Sequence, residues 1–290
     1  MRSAFIDELV TLAETRDNIA LVVGDLGFSV IEPFADRFPD RFLNAGVAEQ
    51  NMTGLAAGMA SEGYHVFTYS IANFPTFRCA EQIRNDVDHH RLAVTVVAVG
   101  GGLAYGALGY SHHAVQDYAL IRAMPNMLIA APGDPFETRA CLRYLVDHPQ
   151  PSYLRLGKAG EPSFHTEMPQ VAPGAWLPVR DGASDRVLLS TGAALGAAIA
   201  AAEGDGASVR SMPLWSMAAK REQAGQVAGV SALTTFEDHL VDGGFGSWMF
   251  EAIAGTPGLA ARLGCRALSA EVCETVACQA TLNRVGGLTL

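Results

Sequence analysis

Residues 93–99, Ala-Val-Thr-Val-Val-Ala-Val, are uncharged and mostly small or β-branched, and the run stops on Gly100, Gly101 and Gly102. Such a run fits a strand buried on both faces, because branched side chains suit a pleated surface and no polar face is left for water. Strands of this kind occur in sheets covered by helices on both sides, which restricts the chain to a mostly parallel α/β architecture. Other segments repeat the pattern. Residues 3–16 place Phe5, Ile6, Leu9, Leu12 and Ala13 at helical spacing, with Ser3 in a capping position. Strands are expected at 19–23, 42–47, 65–69, 127–131 and 152–156, and helices at 49–63, 77–88, 114–123 and 135–146.

The alternation breaks at 157–182, where Gly157, Gly160, Pro162, Pro169, Pro173, Gly174 and Pro178 leave little periodicity. It resumes with strands at 187–190, 208–211 and 230–236 and helices at 193–202, 218–228 and 247–254, followed by an apolar-poor tail. The expected division is a domain at 1–160, a linker at 161–182 and a second domain at 183–290, each a mostly parallel sheet flanked by helices. Hydrophobic residues make up 49% of the 290 and charged ones 17%, so part of the apolar surface is expected to be buried against another subunit. A net charge of −10 argues against a nucleic-acid surface. No apolar run is long enough for a bilayer, and Asp7 and Glu8 leave no signal-peptide core near the start. The five cysteines form no CxxC pair and share no metal-ligand spacing with histidine, so reduced thiols in a cytoplasm are expected.

Three loops, 24–29, 44–51 and 100–113, follow expected strands, at the edge where open α/β sheets bind ligands. The glycines at 100–102, 106 and 109 would let backbone approach a ligand closely, although no GxGxxG or phosphate-loop lysine is present. Glu49 lies between an apolar run and a helix rich in small residues. A carboxylate there sits near free backbone N–H groups, and low polarity would strengthen a proton-sharing bond to a heterocycle. The helix macrodipole alone would also favour an acid at this position.

The run Leu43-Asn44-Ala45-Gly46-Val47-Ala48-Glu49-Gln50-Asn51-Met52 resembles the pyrimidine-binding signature of the transketolase family of thiamin diphosphate enzymes. Residues 105–113 occupy the place of that family's Asp-Gly-Pro-Thr-His loop, and 74–84 resemble its aromatic segment. Pro125-Asn126-Met127, Ala131-Pro132, 235–239 and 243–247 match further blocks in the expected order. The Gly-Asp-Gly…Asn motif of the family's diphosphate- and metal-binding domain is missing, so the chain resembles the C-terminal half of a split transketolase. The resemblance then implies a partner subunit holding the diphosphate and Mg2+ or Ca2+, in an α2β2 assembly, with no metal site, nucleic acid or membrane on this chain.

The same resemblance implies roles. Glu49 and His112 would be catalytic, Glu49 sharing a proton with the pyrimidine and His112 with substrate oxygens. Phe74 and Phe77 would wrap the aminopyrimidine, although core packing is open for one of them, and Asp25 would lie near the cofactor unless it is only a turn residue. Arg2, Ser29 and Arg155 would bind a terminal phosphate, with a surface ion pair the alternative for Arg155. Arg78 is open between a site role and a structural ion pair, and the acids and histidine at 237–239 imply no chemistry. Leu108 replaces the aspartate that would recognise a substrate hydroxyl, and Gly100 replaces a substrate-facing histidine, so a deoxy or modified sugar is expected. The implied activity is transfer of a two-carbon ketol unit. The β-subunit of a 2-oxoacid dehydrogenase-like or acyl-forming complex, or a non-catalytic scaffold subunit, are the alternatives.

Overall fold

The computed structural model describes residues 1–158, 160–204 and 206–289, and within these the strands form two sheets. Six strands come from the first half: β1 (Ile19–Val23), β2 (Phe42–Asn44), β3 (His65–Ile71), β4 (Val94–Val99), β5 (Leu128–Ala130) and β6 (Ser152–Leu156). The others are β7 (Leu177–Arg180), β8 (Arg186–Ser190), β9 (Ser208–Ser211), β10 (Leu214–Ser216), β11 (Ala232–Leu240) and β12 (Leu263–Leu268). The first sheet runs β10-β5-β6-β4-β3-β1-β2 and the second β12-β11-β8-β9-β7. All pairings are parallel except those of β10 with β5 and β7 with β9. This is the mostly parallel, helix-flanked architecture expected from the alternation.

Period-two packing explains why β4 carries no charge. Val97 and Val99 join the core under the helices Arg2–Ala13 and Pro135–Asp147, with Phe5, Leu9, Phe67 and Leu142. Val96 and Ala98 face the other way, into a core that also holds Tyr118, Tyr153, Trp215, Phe245 and Trp248. That second core contains residues from both halves of the chain, so the two sheets share buried apolar surface.

Several boundaries differ from expectation. Ser3 lies inside its helix, which begins at Arg2 with no side-chain cap. The strand expected at 42–47 ends at Asn44, and the backbone turns away at Gly46 with φ +74°. The helix expected at 77–88 is two pieces, Ala80–Gln82 and a π-helical turn at Ile83–Asp88, and a separate short helix, Asn73–Thr76, precedes it. β7 lies within the expected linker. β10, in the expected second domain, pairs Trp215 opposite Ile129 and extends the first sheet. The tail contains β12 and the helix Gln279–Val285. Among the described residues no helix is long and apolar enough to cross a membrane.

Candidate active site

The loops after β1, β2 and β4 meet at the carboxyl edge of the first sheet, as their positions predicted. The first turn of the helix Glu49–Ser61 supplies a carboxylate there, with Glu49 only 2% exposed. Gly24, at the end of β1, lies against it: a Cβ at Gly24 would sit 3.5 Å from the Glu49 Cγ, in ordinary van der Waals contact. Arg78 donates to Glu49 Oε2 at 2.6 Å, while Oε1 has no hydrogen bond among the described residues. The Arg78 guanidinium also lies 4.9 Å from the centre of the Phe74 ring. The charge pair that the sequence left open for Arg78 is therefore made with Glu49 itself.

Asp25 follows Gly24 on exposed backbone with φ +55°. Asn44 holds it there from both sides: Asn44 Oδ1 accepts the Asp25 N–H at 3.1 Å, and Asn44 Nδ2 donates to the Asp25 carboxylate at 3.0 Å. The same Asn44 oxygen accepts the Gly46 N–H at 3.0 Å, so one side chain fixes both loops that approach Glu49.

Phe74 and Phe77 line a cavity of about 400 Å3 with Asn73, Arg78, Tyr110 and His113. Neither ring is a core residue; Phe77 is 41% exposed. The His112 ring meets Phe74 edge-on at 5.4 Å, and its Nδ1 lies 3.0 Å from the Ser111 hydroxyl. His113 is buried and donates from Nε2 to the carbonyl of Gly106 at 3.0 Å, which leaves Nδ1 as an acceptor with no partner. Leu108 is exposed on the same loop. The loop rests on the C-terminal part of the chain: a Cβ at Gly109 would lie 3.4 Å from Val276, and one at Gly106 would lie 2.7 Å from the Ala277 carbonyl.

Of the three residues expected to bind a terminal phosphate, Arg155 is engaged elsewhere. Arg155, on β6, is 3% exposed. It donates from Nε to Asp117 at 2.7 Å and from Nη1 to Asp238 at 2.6 Å and the Tyr118 hydroxyl at 3.2 Å. Nη2 donates to the carbonyls of Ala114 at 2.8 Å and Asp238 at 3.2 Å. No donor is left for a ligand, so Arg155 is a structural bridge between the two halves. Asp117 and Asp238 compensate the cost of burying its charge. Ser29 is exposed with φ +65°, and its N–H donates to Glu32 at 2.7 Å. Arg2 sits at the start of its helix beside Tyr69. Burial pushes the Tyr69 phenol up to about 12, opposed by the Arg2 charge. Arg2 Nε is buried without a hydrogen-bond partner among the described residues, and the Tyr69 hydroxyl lies within reach of the Arg2 side chain.

Sequence reasoning passed over Lys158. It is exposed directly after β6, forms no ion pair among the described residues, and its Nζ lies 5.5 Å from the centre of the Tyr105 ring. Its position after a strand at the ligand-binding edge was the available signal.

The glycines after β4 make room for the protein's own side chains. A Cβ at Gly100 (φ +80°) would overlap the Tyr105 ring, one at Gly101 would lie 2.6 Å from Arg155 Nε, and one at Gly102 (φ +63°) 2.8 Å from the Asp238 carboxyl carbon. The expectation of backbone approaching a ligand here is replaced by this packing. Residues 237–239 lie within β11, where Glu237 accepts the N–H groups of Phe245 at 2.5 Å and Gly246 at 2.8 Å at the start of the helix Phe245–Ile253. His239 donates to its neighbour's carbonyl and stacks on Tyr118 at 5.1 Å. Among the described residues no three His, Cys, Asp or Glu side chains are grouped to hold a metal ion.

The fold and this edge define an α/β domain with a recessed acid, joined to a smaller α/β domain. The family described as the transketolase pyrimidine-binding domain matches residues 1–160. A putative transketolase C-terminal section from Methanocaldococcus jannaschii is 33% identical over 88% of this chain and 82% of its own length. One of the subunits of an apulose-4-phosphate transketolase from Phocaeicola vulgatus is 38% identical over 57% of this chain and 53% of its own length. A split-gene transketolase solved as an inactive β4 tetramer superposes with a TM-score of 0.84 at 30% identity, covering 99% of this chain and 93% of that one. The chain belongs to the transketolase family.

Proposed function

We propose that this chain is the C-terminal subunit of a thiamin diphosphate-dependent split transketolase, which moves a two-carbon ketol unit from a ketose donor to an aldose acceptor. The observation that carries the reading is the recessed Glu49, one oxygen tied to Arg78 and the other uncommitted, behind a rim of exposed apolar side chains. That rim includes Phe28, Leu43, Val47, Phe77, Leu108 and Tyr110, with Val47 76% exposed. Large apolar groups around a buried acid suit a surface covered by a partner subunit. The relatives named as subunits or sections of transketolases, and the β4 assembly called inactive, support the same reading.

The residues present fit the pyrimidine end of thiamin diphosphate: a recessed carboxylate and two aromatic rings facing a cavity. When bound, the cofactor supplies the electron sink for carbon–carbon cleavage and formation. Glu49 would hold a proton against a ring nitrogen, and Phe74 and Phe77 would exclude water from that contact. Asp25, fixed by Asn44, would border the cofactor. His112 would exchange a proton with a substrate oxygen. Arg2 and Lys158 would attract an anionic end group, with Ser29 alongside. Leu108 offers no acceptor to a sugar hydroxyl, which favours a deoxy or modified sugar. The diphosphate and its Mg2+ or Ca2+ are assigned to the partner, in an α2β2 assembly. Free thiols at Cys79 and Cys141, both buried, suit a reducing cytoplasm.

Reconstitution with the partner subunit tests the reading by ketol-transfer assay. Glu49→Gln should lower kcat about 10²- to 10⁴-fold, in the range of a lost acid–base group, while the two subunits still co-elute. Unchanged turnover in Glu49→Gln would overturn the role of Glu49. Full wild-type activity on xylulose 5-phosphate would overturn the modified-sugar part.

A further inference from the structure

Gly100, Gly101 and Gly102 each give space to another side chain, but the three guests differ. Arg155 and Asp238 are buried and paired with each other, so Gly101 and Gly102 serve the join between the two halves. Tyr105, against Gly100, is only half-buried, and no described residue hydrogen-bonds its hydroxyl. Its ring has two neighbours of different chemistry. His112 meets it nearly perpendicular at 6.5 Å, and Lys158 Nζ lies 5.5 Å from the ring centre. The Tyr105 phenol is also close enough to Tyr69, beside Arg2, to act on its ionisation. A histidine, a lysine and, through Tyr69, an arginine thus neighbour one phenol, and neither cation has a carboxylate partner among the described residues.

We infer that Tyr105 is a specificity-determining residue that hydrogen-bonds a hydroxyl oxygen of the sugar chain, between the reacting carbonyl and an anionic end group. This rests on the proposed ketol transfer and names the residue that reads the middle of its substrate. The substrate class is a ketose carrying a terminal anion. A phenol suits the task because its O–H can donate or accept while the rigid ring costs little conformational freedom on binding. Gly100 is the enabling residue. Its φ of +80° lies where other residues are strained, and any Cβ there would displace the ring that positions the hydroxyl.

Tyr105→Phe keeps the ring against Gly100 and removes only the hydroxyl, so a purely structural role would leave it neutral. The measurement uses the complex with its partner subunit, with xylulose 5-phosphate, fructose 6-phosphate and apulose 4-phosphate as donors. On the donor that the wild type uses best, Tyr105→Phe should lower kcat/KM at least about tenfold, chiefly through KM, because a site group that pairs a hydroxyl discriminates strongly. Thiamin diphosphate affinity, read by calorimetry, should stay unchanged. Gly100→Ala should give a similar loss with Tyr105 intact. A Tyr105→Phe complex within about twofold of wild type overturns the assignment.

A wild-type complex that turns over no donor overturns the ketol-transfer reading instead, and the contact is then read from binding. Xylulose 5-phosphate should raise the wild-type Tm beyond inorganic phosphate, and Tyr105→Phe should abolish that excess. An excess that survives in Tyr105→Phe, or is missing from the wild type, overturns the contact.

Discussion

A guanidinium has five N–H donors, and at Arg155 two aspartates, a phenol and two backbone carbonyls take all of them. Removing this side chain would leave Asp117 and Asp238 buried without a counter-charge. Arg155→Ala should therefore cost about 3–5 kcal/mol of stability, the usual penalty for breaking a buried pair. Denaturant unfolding would measure it. A selective rise in KM for phosphorylated substrates with stability intact would contradict the structural role. The sequence could not separate these uses, because an arginine at a strand end serves a ligand or an ion pair equally well, and Asp238 is 83 residues away. Glu49 was legible because its neighbours form a specific run. Lys158 and Tyr105 were not, because their meaning depends on which side chains the glycine run and the end of β6 bring beside them.

Elements were legible where apolar periodicity was strong. β1, β4 and β6 lie where residue type places them, since each is buried along its whole length. β7, β10 and β12 were not visible. β7 and β12 are edge strands of mixed exposure, and β10 has three residues whose partner, β5, lies in the other half.

β11 carries the main pH sensitivity of an element. Burial holds the Glu237 carboxyl up at about 8, against the pull of two N–H donors from the helix it caps. Relative to an ordinary value of 4.5, the folded chain keeps a proton that the unfolded chain releases. Glu237 therefore contributes stability that is full below pH 4.5 and is lost as pH rises towards 8. Glu137, raised by burial, and His165, raised by its bond to Asp134, act with the same sign. Burial lowers His65 and His239 from 6.5 to about 4, so they contribute above 6.5 and lose it as pH falls. The two sets oppose each other at mildly acid pH, and above 6.5 only the first still changes. Unfolding free energy in urea should fall between pH 6.5 and 8, less steeply in Glu237→Gln. A rising curve in that window would contradict the assignment.

At the scale of the whole molecule, the apolar rim around Glu49 is apolar surface that the folded chain leaves exposed. Val47→Asp places a charge at its most exposed point, two residues from the candidate catalytic acid, without touching either core. It should weaken partner association by at least about tenfold, since a charge buried in an interface without a counter-charge costs well over 1.4 kcal/mol. Size-exclusion and calorimetric titration would read this, with circular dichroism unchanged. Retained full affinity would move the interface elsewhere.

The antiparallel pairing of β10 with β5 bears on domain exchange. A chimera joining the second half of this chain to a different pyrimidine-binding domain would import a strand that needs Ile129's ladder positions and an Asp238 that needs Arg155. The seam would have to be chosen by sheet edge and counter-charge, because the boundary in sequence and the boundary in space do not coincide.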